Sequence, residues 1–228
     1  MKLAHLRTAC YLYNQFTDYD SSYVKLRADY PQLDLDIEKH AIALVKWLRS
    51  WGCRQFKKKC EDTSVTSIMD WCKSCSPKFP PPTDHLIDYD LTKHKKLIAS
   101  LFSDLSSHKA ATQVREGKSV IVNIGPVGAA KALFALRPNL FAPWDTPIYK
   151  HFNMEGNGSD YVSYLFKIQN ELKDIRIEVG KASIGWDNLF EYLNKNHNSY
   201  PKLVDEYFWI TITQGCDPSV IEGFFRQR

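Results

Sequence analysis

This chain has no apolar run of membrane-spanning length, which excludes a helical integral membrane protein. It shows no secretory leader: Met1-Lys2-Leu3-Ala4-His5-Leu6-Arg7 is amphipathic and soon meets polar residues, so a cytoplasmic location is expected. It has no internal repeat and no long low-complexity tract, which excludes a solenoid or a linker-like chain. Its seven histidines show no metal-like pairing, and no metal centre is expected. Neither sign of charge dominates: 30 Lys and Arg face 26 Asp and Glu, for a net charge of +4. Such a mildly basic balance permits nucleic-acid binding without demanding it. Strand patterning is also scarce. Only Ser119-Val120-Ile121-Val122-Asn123 looks strand-like, and its place before a glycine turn suits the first helix of a hairpin equally well.

What is present is helix. The 228 residues are 44% apolar and 13% aromatic, enough for a sizeable core in one domain of two closely packed lobes, 1–228. Leu3, Leu6, Ala9, Cys10, Leu12, Tyr13 and Phe16 recur at helical spacing over 3–16. Asp36 can cap a helix running to about Trp51, with Gly52 closing it. Further helices are expected at 64–75, 84–106, 127–136, 146–153, 159–177, 184–195 and 201–213. The stiff Phe79-Pro80-Pro81-Pro82-Thr83 is the best internal boundary. The fold class expected is all-α.

The chemistry-bearing stretch is 115–153. Ile124-Gly125-Pro126-Val127-Gly128-Ala129-Ala130-Lys131 reads as a tight glycine turn opening a helix. Amides at such a helix start can point at an anion, and a DNA phosphate fits. The same glycines also suit an ordinary turn between helices. Phe141-Ala142-Pro143-Trp144-Asp145-Thr146-Pro147-Ile148 then places one carboxylate where the next helix begins. Asp145 reads equally as a helix N-cap, since Pro147 suits an early helical position.

Turn, helix and Asp in this order resemble the helix-hairpin-helix DNA glycosylases. Phe-Ala-Pro-Trp-Asp is closest to the monofunctional, alkylated-base (3-methyladenine glycosylase-like) branch. The resemblance implies a two-lobed helical bundle carrying a helix-hairpin-helix motif, with Asp145 catalytic. It implies double-stranded DNA with a flipped modified base as partner, Gly125, Val127, Gly128 and Ala129 on the DNA phosphates, and a monovalent cation at the hairpin carbonyls. No other cofactor is required. Bifunctional relatives carry a nucleophilic lysine two residues after the second hairpin glycine, where this chain has Ala130. Lys131 follows, about 100° further around the helix, and is expected to point elsewhere, toward DNA. Hydrolysis without strand cleavage is therefore expected.

Arg54, Lys57, Lys58 and Lys59 form a basic run that reads as a solvated face or as a phosphate-binding rim. Arg54 or Gln55 also stands where the family's gap-filling loop lies. Trp144 and Trp51 are candidates for the base pocket, although most of the six tryptophans are expected in the core. Cys53, Cys60, Cys72 and Cys75 have a spacing that favours free thiols over a structural zinc. The leading expectation is a monomeric glycosylase acting in repair or against phage DNA carrying modified bases. The alternative is a non-catalytic helix-hairpin-helix module that binds DNA.

Overall fold

The computed structural model describes residues 1–75, 78–195 and 197–221. Its first helix, α1 (Leu3–Phe16), buries Leu3, Leu6, Ala9, Cys10 and Tyr13, a stripe set by the 3.6-residue period. After α2 (Tyr19–Asp29), α3 (Glu38–Ser50) buries Ala41, Leu44, Val45, Trp47 and Leu48. Asp36 is not its cap: Ile37 holds that position, and no side chain closes the helix start. Gly52 does end α3, at φ +79°, and the Cys53 amide reaches back to the Leu48 carbonyl at 3.0 Å. Next comes α4 (Glu61–Cys75), and then α5 (Leu91–Ser107), which starts late because Asp90 caps it on the Lys93 amide. The stretch 84–90 is therefore turns rather than helix.

The remaining helices are α6 (Gly125–Leu136), α7 (Thr146–His151), α8 (Gly158–Lys181), α9 (Leu189–Tyr192) and α10 (Tyr200–Phe208). Every residue of α6 from Gly128 to Leu136 is buried, which makes it the central rod of the fold. Its alanines let α5 and α3 approach closely. The helix expected at 184–195 is reduced to a short turn, Trp186–Asn188, and the four-residue α9.

The structure is mostly helical, with one two-stranded sheet among the described residues. Strands β1 (Lys109–Arg115) and β2 (Lys118–Asn123) pair antiparallel, with Thr112 opposite Ile121 and Val114 opposite Ser119. Glu116 and Gly117 make the turn, both at positive φ (51° and 76°). The ambiguous 119–123 stretch is thus a strand, as its β-branched residues favour. The element that enters the glycine turn is a strand, so a first hairpin helix does not precede it.

One large apolar cluster runs from Tyr23 on α2 to Phe208 on α10, and a smaller one packs α1 against α8, α9 and α10. The large cluster includes residues from both sides of the proline connector. Phe79 packs on Trp71 and Phe141, so the connector lies over the core. Among the described residues, no helix is long and apolar enough to cross a membrane.

Candidate active site

Two backbone constraints build the glycine turn. Gly125 sits at φ +70°, a conformation that costs any L side chain strain. At Gly128 a Cβ would stand 2.6 Å from the Gln55 Nε2 and 2.9 Å from the Ile124 Cγ2, so any side chain there must displace both neighbours. Gln55 is there because its amide donates to the Ile124 carbonyl at 2.6 Å. Gln55 therefore braces the turn from inside and does not project toward a duplex. It also occupies a carbonyl of the kind to which the resemblance assigns a monovalent cation.

The loop carrying Asp145 is clamped at three points. Tyr161 Oη donates to the Ala142 carbonyl (2.9 Å) and Tyr164 Oη to the Pro143 carbonyl (3.0 Å). Trp144 Nε1 donates to the Pro126 carbonyl (3.0 Å), which ties the loop to the glycine turn. Trp144 is fully buried, ringed by Phe102, Tyr149, Tyr161 and Tyr164. It is a core clamp and does not line a base pocket. Trp51 is buried too, stacked on Phe134.

Asp145 holds the N-cap position of α7, yet its side chain makes no capping bond. Its Oδ1 instead lies 2.8 Å from the Lys131 Nζ, with the carboxylate side chain 31% exposed and the lysine 9%. Lys131 also donates to the Trp51 carbonyl at 2.9 Å. This corrects the expected orientation. Lys131 does not point away, because the return loop brings Asp145 back over its face of α6. A buried, paired ammonium is not a surface phosphate contact. Burial, the largest single influence, depresses such a group, but the Asp145 charge and hydrogen bond together with the neighbouring Cys53 and Asp205 outweigh it, and the Lys131 value is raised. Nearby Cys53 is pushed up to about 11 by burial and is an inert thiol.

Of the other candidates, Arg54, Lys57, Lys58 and Lys59 are exposed. Gly125 and Val127 are partly exposed, and Ala129 is buried. The four zinc candidates are not gathered: Cys60 bonds the Thr112 carbonyl on β1, while Cys53 lies in the core beside Lys131.

Sequence reasoning missed Asp205 on α10. It is buried, and its Oδ1 lies 3.4 Å from the Tyr164 Oη. The Tyr164 hydroxyl has one proton, which the Pro143 carbonyl takes. The second contact is a hydrogen bond only if Asp205 is protonated and donates. Burial first, and then the Asp145 charge, push Asp205 well above the usual carboxylate range, in agreement. In Leu203-Val204-Asp205-Glu206 nothing distinguishes Asp205 from a solvated helix acid.

A second buried group lies beyond Trp51. Lys195 Nζ bonds Asn14, Asp20 and Glu206, each at 2.7 Å. Lys202 pairs with Glu206 at 2.5 Å and with Asp20. His197 Nε2 meets Glu206 at 3.0 Å, and its Nδ1 accepts the Ser199 amide. Asp20, His197 and Glu206 are the one group among the described residues that could hold a metal. Two ammoniums already neutralise its two carboxylates, so the donors are spent within the protein. Comparison with family models, with curated proteins and with solved structures finds no match to this chain.

Proposed function

We propose that this chain is a DNA N-glycosylase that hydrolyses the bond between a modified base and its sugar, with Asp145 facing the sugar. One observation carries the reading. Asp145 is a partly open carboxylate, released from capping and held 2.8 Å from a buried ammonium beside a glycine turn. A helix cap alone needs neither the ammonium nor the three-point clamp on the loop.

Duplex DNA docks with its phosphates near the glycine turn, and the target nucleotide swings out of the stack. As the C1′–N bond breaks, positive charge develops on the sugar, and the fixed Asp145 charge stabilises it. Water then bonds to C1′ and gives up a proton, with Asp145 as acceptor. The departing base takes its proton from solvent, and an abasic site remains. Lys131 holds the carboxylate in place. Kept protonated, its amine has no lone pair for attack on C1′.

The 2.8 Å approach favours a second reading. Transfer of the Lys131 proton to Asp145 frees an amine that attacks C1′ as the C1′–N bond to the base breaks. The departing base takes a proton from solvent, and opening of the C1′–O4′ bond, with the amine's proton passing to O4′, gives the Schiff base. Borohydride decides between them: hydrolysis leaves no trapped complex, whereas a complex that disappears in Lys131→Ala establishes the lyase. Repair of an alkylated base and removal of modified bases from phage DNA both use this chemistry.

The primary test is Asp145→Asn on duplexes carrying different modified bases, with alkali revealing abasic sites. Base release is expected to drop a hundredfold or more, about 3 kcal/mol of barrier, while DNA binding persists. Undiminished release from the Asn variant sinks the assignment of Asp145, whereas a parent that binds DNA and releases no base leaves a non-catalytic DNA-binding module.

A further inference from the structure

The β1–β2 hairpin has no role in the clamp, yet it is joined to it. The Ile124 amide, at the mouth of the glycine turn, donates to the His108 carbonyl at the hairpin base (2.8 Å). The turn bearing Lys58 and Lys59 packs against β1, with Cys60 Sγ on the Thr112 carbonyl. Lysine turn, hairpin and glycine turn are thus joined by direct contacts, and Trp144 ties the glycine turn to the Asp145 loop.

The hairpin carries large apolar side chains in water. Val114 is 75% exposed and Ile121 64%. Thr112 pairs with Ile121, and Val114 lies two residues along from Thr112, so Val114 and Ile121 are diagonal neighbours on one face. Among the described residues, packing does not use that face. Exposed Lys58 and Lys59 lie on the turn packed against β1, exposed Lys57 precedes them and exposed Lys118 begins β2, with Glu116 at the hairpin turn and Asp62 at the start of α4 offsetting part of the charge. An apolar tip on a basic surface matches a surface that is anionic outside and apolar inside, which is stacked DNA. Of the two residues that the sequence offers for filling the gap, Gln55 is turned inward, while Arg54 is exposed.

We propose that the β1–β2 hairpin is the DNA wedge, with Val114 and Ile121 pressing on the bases left unstacked when a nucleotide is flipped out. This rests on the glycosylase reading. Because both side chains are exposed, V114S/I121S is expected to fold like the parent. The probe is a duplex with a tetrahydrofuran abasic analogue flanked by 2-aminopurine, which needs no catalysis.

The parent is expected to bind and change the 2-aminopurine emission. V114S/I121S is expected to bind about tenfold more weakly and lose that change, with an unaltered salt slope because no charge is removed. Parent-like affinity and emission in V114S/I121S overturn the wedge and leave the glycosylase reading intact. A parent that does not bind the duplex overturns both. A concentration-dependent dimer abolished by V114S/I121S assigns the face to a second copy of the chain and overturns the wedge.

Discussion

Asp145, Lys131 and Asp205 divide the work at the site by environment. Asp145 is partly open, Lys131 is covered and held toward its charged form, and Asp205 is covered and pushed toward its neutral form. Asp205 is perturbed only in the folded chain. The folded state therefore keeps a proton that the unfolded chain releases above about pH 4, and stability falls as pH rises past that value. Asp205→Asn removes this dependence while keeping an amide that can donate to Tyr164. We expect the variant to equal the parent in Tm near pH 4 and to gain on it toward pH 8, as read by thermal melts across that range. A variant whose Tm trails the parent's more at pH 8 than at pH 4 would show that Asp205 is buried as an anion. Lys131 follows the same sign at much higher pH. Its raised value means the Asp145 pair contributes fully below the unfolded lysine's pKa, about 10.4, and is lost only as pH rises through the folded value. Across neutral pH the pair is intact.

Among the elements, the glycine turn and the Asp145 loop are legible in the sequence because glycine and proline act on local backbone geometry. Gly125 needs its positive φ and Pro147 its first-turn place whatever surrounds them. The first 16 residues are equally plain, since one periodic stripe settles a surface helix. What the sequence hides depends on chain return. That Lys131 meets Asp145 follows from the path of residues 137–144, which Tyr161 and Tyr164 hold from a different helix. The strand pairing of 109–123 is hidden by a first strand, Lys-Ala-Ala-Thr-Gln-Val-Arg, with little β signal of its own. The periodicity of α2 is faint because only Asp20, Tyr23 and Leu26 are buried along it. The two glycines of the turn make a testable contrast. Gly125→Ala has open space and meets only backbone strain, about 1 kcal/mol. Gly128→Ala meets Gln55 and Ile124 and is expected to cost about 1–3 kcal/mol. Adding Gln55→Ala should restore part of the stability that Gly128→Ala removes in urea melts, and none of what Gly125→Ala removes.

Over the whole molecule, the lysine turn beside the hairpin is one exposed cluster of positive charge, and Lys93, Lys95 and Lys96 form another, although the chain as a whole carries only +4. DNA affinity should therefore fall steeply with salt. Replacing Lys57, Lys58 and Lys59 by Gln is expected to flatten the log–log slope by about 0.9 for each phosphate that is no longer neutralised. Titrations at several salt concentrations read this directly, and an unchanged slope would mark the lysines as merely solvated.

The buried group of Asp20, Lys195, His197, Lys202 and Glu206 ties α2 to α10 across most of the chain's length. Its carboxylates and ammoniums neutralise one another only when both segments are present, since a lone buried charge is strongly destabilising. On the ribosome, Asp20 is made long before its partners. The first helices must then wait, with Asp20 still hydrated, until α10 has emerged. The glycine turn and Asp145 therefore reach their final setting only after α10 has been made.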